Sequence, residues 1–106
     1  MSLIRTITCC AIMALATGCC DEKGLPQALR NLHSEKASER NKALLLIGKC
    51  GERVDSAVPR IAQLMYDENV GVASSAAYAL RSIDTKSARA ALKAAEQARA
   101  ARRAQR

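Results

Sequence analysis

Between residues 25 and 95 the apolar side chains recur at intervals of three and four. Leu25, Leu29 and Leu32 form one series, and Ala43, Leu46, Ile47 and Cys50 a second. Val58, Ile61, Ala62 and Met65 form a third, and Ala76, Ala79, Leu80 and Ile83 a fourth. This spacing puts each series on one face of a helix, and no run of alternating β-branched residues argues for a strand. The pattern predicts helices over about Leu25–His33, Glu35–Lys49, Ser56–Tyr66 and Val70–Ser82, then a fifth from Thr85 to about Arg103. The expected fold class is all-α.

The polar punctuation agrees. Pro26 and Pro59 fall in first turns, where a missing N–H leaves no hydrogen bond unmade. Asp55 or Ser56 is placed to cap the third helix, Asn69 the fourth and Asp84 the fifth. Gly51 sits where a left-handed residue stops the second helix. Tyr66-Asp67-Glu68-Asn69 reads as a short polar turn.

A shift of 33 residues lays the chain on itself. Leu25-Pro26 falls on Val58-Pro59, Ala43 on Ala76, Ile47 on Leu80 and Cys50 on Ile83. A repeat of this period marks stacked supersecondary units. Residues 25–51 and 55–84 are then two helical hairpins, and residues 85–106 a capping helix with a basic tail. Ala88, Ala91, Leu92 and Ala95 are spaced to cover the open end of the second unit. Val72-Ala73-Ser74-Ser75-Ala76-Ala77-Tyr78-Ala79-Leu80 resembles the second helix of a HEAT repeat, whose pattern is Val-Arg-x-x-Ala-Ala-x-Ala-Leu, with Ile83 at the next apolar position. In the first unit Arg40, Ala43, Ile47, Gly48 and Gly51 match, while Glu39 and Leu46 stand for valine and alanine. In the second, Ala73 and Arg81 stand for arginine and glycine. The resemblance covers about residues 25–95. It implies a short α-α superhelix of HEAT-like hairpins with the second helices lining a concave face, and it implies no chemistry.

Two units and a cap lie at the lower edge of what a repeat stack needs. The fold expected is a marginal, folded monomer, unless a partner completes it.

Ahead of the repeats, Ile7 to Ala16 is apolar apart from Thr8, too short for a membrane span of roughly 20 residues. It follows Arg5 and precedes Ala16-Thr17-Gly18-Cys19. This order resembles a bacterial lipoprotein signal peptide with its lipobox. The resemblance implies that residues 1–18 are removed and Cys19 is acylated. Residues 19–24 are then a lipidated linker, and the protein is held extracytoplasmically on the cell membrane or outer membrane. Cys20, rather than Asp, follows the acylated cysteine, which leans towards the outer membrane. An ordinary secretory signal cut at the same point is the alternative.

Of the five cysteines, Cys9 and Cys10 leave with the signal and Cys19 carries lipid, so Cys20 and Cys50 remain. No metal-ligand spacing survives, and His33 is the single histidine. Neither a metal site nor a cofactor is expected. His33 reads as a solvated residue near a helix end. Cys50 falls on the core position of Ile83 and reads as a small buried hydrophobe. No acid–base pair, activated nucleophile or glycine-rich phosphate loop is present, which argues against an enzyme.

Charge is unevenly placed. Residues 19–85 hold nine Lys or Arg and nine Asp or Glu; residues 86–106 hold seven Lys or Arg and one acid, Glu96. Two candidate surfaces result. With Ala43–Ile47 facing inward, Asn41, Leu45, Tyr78 and Arg81 project outward, and Leu45 and Tyr78 are equivalent in the 33-residue shift. Tyrosine and arginine favour binding hot spots, although isolated exposed apolar residues are also ordinary. The second surface is the basic helix: Arg89, Lys93, Arg99, Arg103 and Arg106 recur along one face, with Arg102 beside it. It suits anionic lipid or lipopolysaccharide phosphates, or it is a solvated face. The functional expectation is a non-catalytic, membrane-anchored interaction module or scaffold with an envelope protein partner. The alternative is nucleic-acid or anionic-surface binding through the C-terminal helix. Export and the lack of interleaved aromatics argue against nucleic acid.

Overall fold

The computed structural model describes residues 20–105, and the lipobox with Cys19 lies outside them. The described chain is all-α, and no strand occurs in it. Helices α1 (Leu25–Asn31), α2 (Ala37–Ile47), α3 (Val58–Leu64), α4 (Val70–Ile83) and α5 (Lys86–Ala104) follow in order, with a 3-10 stretch, η1 (Gly48–Ala57), between α2 and α3. The pairs α1–α2 and α3–α4 pack as neighbours. Helix α2 also packs on α4, and α5 on α3 and α4.

The apolar series face one core. Leu32, Leu44, Ile47, Ile61, Val72 and Leu80 are fully buried, as is Val54 from η1. Each large aliphatic side chain removed from water contributes roughly 1.5–3 kcal/mol. Small residues bring α2 against α4: a side chain on Gly48 would meet the Ala79 Cα at 3.4 Å, and Ala76 and Ala79 are fully buried. Ala88 and Ala95 of α5 are buried, with Ala91 and Leu92 packed partly against the same core.

The structure departs from the sequence reading at the joints. Helix α2 ends at Ile47, and η1 fills the interval before α3. Gly51 has φ 59° and ψ −132°, which is outside the left-handed helical region and open in practice only to glycine. Gly51→Ala is expected to cost about 1–2 kcal/mol through backbone strain. The added methyl would meet nothing within 4 Å, so a loss seen in urea unfolding reports conformation and not a clash. The residue equivalent to Gly51 is Asp84, and it does take the left-handed conformation, φ 50° and ψ 35°.

Two predicted caps are replaced. Asp84 closes α4 and does not cap α5. That cap is Thr85, whose hydroxyl accepts from the Ala88 amide at 3.1 Å. Neither Asp55 nor Ser56 caps α3, whose N-terminal flank is Ala57 with no side-chain cap. The Asp55 carboxylate instead accepts from the Thr85 hydroxyl at 2.6 Å and from the Ser87 hydroxyl at 3.3 Å, tying η1 to the start of α5. Asn69 does cap α4, accepting from the Val72 amide.

Cys50 is buried, but it is not a free thiol: it forms a disulfide with Cys20 across 30 residues of sequence. The bond pulls the segment before α1 onto η1, where Arg53 and Glu22 also pair. A chain this small gains from such a staple, because its single core is limited.

Arginines complete the hairpin ends. The Arg60 guanidinium donates twice to the Leu32 carbonyl, at 3.1 and 2.9 Å, and Arg99 donates to the Met65 carbonyl at 2.8 Å. Leu32 and Met65 follow α1 and α3 and are equivalent in the 33-residue shift. Each arginine therefore satisfies a carbonyl that a helix C-terminus leaves without a partner. Contacts at Asp55 and Met65 also show that α5 runs alongside α3 in the same direction.

Candidate functional site

Leu45 on α2 and Tyr78 on α4 are 43% and 54% exposed. The helix–helix contact that buries Ile47 and Leu80 turns both outward, since neither lies on its helix's core-facing stripe. They come together on one hollow of about 450 Å³, lined also by Lys49, Ser74 and Ser75. A second hollow, of about 440 Å³, adjoins it through Ser74. Asp67, Val70, Ala77, Arg81, Arg99 and Arg103 belong to this second one. Arg81 thus faces the end of α5 rather than completing the Leu45–Tyr78 contact. Asn41 is half-buried and accepts a hydrogen bond from the Ser75 hydroxyl, so it joins α2 to α4 below this surface.

The basic residues of α5 divide by what they touch. Arg89 pairs with Asp84 at 3.0 Å and donates to its carbonyl at 2.7 Å. Arg99 serves the Met65 carbonyl, and the Arg102 guanidinium lies over the Tyr66 ring, 5.4 Å from its centroid. Lys93 is exposed, and Arg103 lines the second hollow. Arg106 lies outside the described residues.

At one end of this surface, Arg40 and Asp67 form a two-point ion pair: Nε to Oδ2 at 3.0 Å and Nη2 to Oδ1 at 3.1 Å. Arg40 Nη1 also donates to the Ser34 carbonyl at 2.8 Å. Both side chains are largely buried, 14% and 10% exposed. Burial on its own would raise the Asp67 pKa. The Asn69 amide, the Arg40 guanidinium and the more distant Arg60 outweigh it and hold the carboxyl below its ordinary value. This clamp joins the α1–α2 turn to the α3–α4 turn. Arg40 occupies the arginine position of the repeat pattern, and its equivalent in the second unit is Ala73, so the second unit has no such side chain to reach onward.

Sequence reasoning missed Lys42, which with Asp21 and Lys49 edges a further shallow hollow running on from Leu45. It also missed the pairing of Cys20 with Cys50. The sign was available for the cysteines: once export is inferred, an even pair is left. His33 is exposed, and no group of three or more metal-ligating side chains occurs among the described residues. No described helix is long and apolar enough to cross a membrane. Searches of protein-family models, curated proteins and solved structures found no match to this chain.

Proposed function

We propose that this chain is a non-catalytic interaction module of HEAT-like type, anchored by acyl chains on Cys19 at the extracytoplasmic face of a bacterial membrane. The observation that carries the reading is the Cys20–Cys50 disulfide, immediately after the proposed lipidation site. Structural disulfides persist in oxidising compartments and are rare where thiols are kept reduced. The pairing therefore favours export independently of the signal-peptide resemblance. The recurrent helical hairpins favour the repeat reading, as do the equivalent carbonyls of Leu32 and Met65, each of which accepts from an arginine of the following hairpin or cap although the two arginines are not themselves equivalent. The exposed Leu45 and Tyr78 supply a surface on which a protein partner gains contact area.

The alternative, anionic-surface binding by α5, draws on Lys93 and Arg103. It is weakened by the intramolecular engagement of Arg89, Arg99 and Arg102.

Intact-mass analysis and membrane fractionation of the native protein beside a Cys19→Ala variant test the proposal. The expected wild-type chain begins at Cys19, carries added acyl mass and sediments with membranes, while the variant does not sediment. A native chain that keeps residues 1–18, or that resides in the cytoplasm, overturns the anchor.

A further inference from the structure

We infer that the face shared by α2, α4 and the end of α5 docks an acidic, amphipathic segment of a partner protein. An apolar side chain of that segment sits between Leu45 and Tyr78, and carboxylates on either side of it meet Lys49 and the Arg81–Arg103 pair. The inference rests on the interaction-module reading and specifies the chemistry of its partner.

Three features of the surface converge. First, it is continuous: the Leu45–Tyr78 hollow shares Ser74 with the Arg81–Arg103 hollow, and shares Leu45 and Lys49 with the hollow edged by Lys42. An extended or helical segment can therefore cross all three. Second, its cations lack counterions. The ion pairs among the described residues are Arg40–Asp67, Arg53–Glu22 and Arg89–Asp84, and none of them uses Lys42, Lys49, Arg81 or Arg103. Arg99 donates to a carbonyl, which satisfies a donor but leaves the charge uncompensated. Of the two carboxylates on this face, Asp67 is taken by Arg40; Asp21, which accepts from the Gly24 amide, keeps its charge, but it sits at the far edge near Lys42 and does not line the Leu45–Tyr78 or Arg81–Arg103 hollow.

Third, the positive charge is concentrated here: Lys42, Lys49, Arg81, Arg99 and Arg103 border the three hollows against only Asp21 and the paired Asp67, whereas residues 19–85 as a whole carry as many acids as bases. A surface of one sign selects partners of the other and hastens their encounter. Its apolar centre distinguishes a peptide from the other polyanions. Leu45 and Tyr78 offer a seat for a side chain, and a lone tyrosine is no row of rings on which bases stack.

The test uses the full chain in detergent micelles, with a random peptide library displayed on phage as the probe. Peptides recovered from the library are then measured by fluorescence anisotropy. They are expected to carry Asp or Glu on both sides of a large apolar residue. Binding should weaken about tenfold or more in Tyr78→Ala and in Arg81→Glu, and it should weaken as salt is raised. Tyr78 and Arg81 are exposed, so the helical circular dichroism should not change. Arg103→Glu serves as a second variant at the α5 side of the groove.

Failure to enrich acidic peptides overturns the inference, as does full affinity in the three variants. So does displacement of bound peptide by phosphatidylglycerol vesicles or a single-stranded oligonucleotide at lower concentration than by the peptide itself. If any of these occurs while Cys19→Ala still leaves the membrane, the docking inference falls and the anchored module stands.

Discussion

Cys50→Ser is expected to destabilise the protein by about 3–4 kcal/mol. A bridge closing about 30 residues removes that much loop-closure entropy from the unfolded chain. For a two-hairpin core whose total stability is on the order of 5 kcal/mol, this is most of what holds the native state. Urea unfolding followed by circular dichroism measures the loss. Cys20→Ser and the double variant should match Cys50→Ser, because either thiol alone leaves the same open chain. Dithiothreitol should lower wild-type stability by a similar amount and leave all three variants unmoved. If reductant has no effect on wild type, Cys50 is a buried free thiol and the bridge is absent. A variant that fails to fold at all still permits the reductant experiment on wild type, which decides the point.

Helix α4 was legible from the sequence. Its apolar residues are periodic and its cap, Asn69, lies three residues before the amide it accepts from, so every determinant is local. Leu45 and Tyr78 were legible as a pair because units stacked at a fixed period bring equivalent positions side by side. The 3-10 stretch η1 was not, because its buried Cys50 and Val54 are too few to fix an element and its path is set by Gly51 and by the bond at Cys50. The Asp55–Thr85 contact was hidden for a related reason. An aspartate before a helix is an ordinary cap in sequence, and only the packing of α5 beside α3 draws it to the next helix instead. The basic face of α5 illustrates the same limit. Helical spacing aligned Arg89, Arg99 and Arg103, but it carried no information on which carbonyl, carboxylate or hollow each would reach.

Arg40→Ala is expected to cost about 2–3 kcal/mol, since it removes a two-point charged hydrogen bond and leaves a largely buried carboxylate without its main partner. The pH dependence separates this pair from simple packing. The Asp67 carboxyl is held below its unfolded value of 3.8. Its contribution is therefore complete above that value and is lost as pH falls through the lower, folded-state pKa. The stability difference between wild type and Asp67→Asn should stay constant from neutral pH down to about 5 and shrink below about 4. In Arg40→Ala the carboxyl moves upward towards the ordinary range, so its acid transition begins at higher pH than in wild type. Urea midpoints at several pH values, with and without added salt, measure both effects. A wild-type-to-Asp67→Asn difference that stays flat through pH 3 would mean that the clamp contributes through shape alone. Because Arg40 also holds the Ser34 carbonyl, losing the clamp loosens the turn edge of both hairpins together. Peptide affinity at the Arg81–Arg103 hollow, which Asp67 helps to line, should then fall by less than it does in Arg81→Glu.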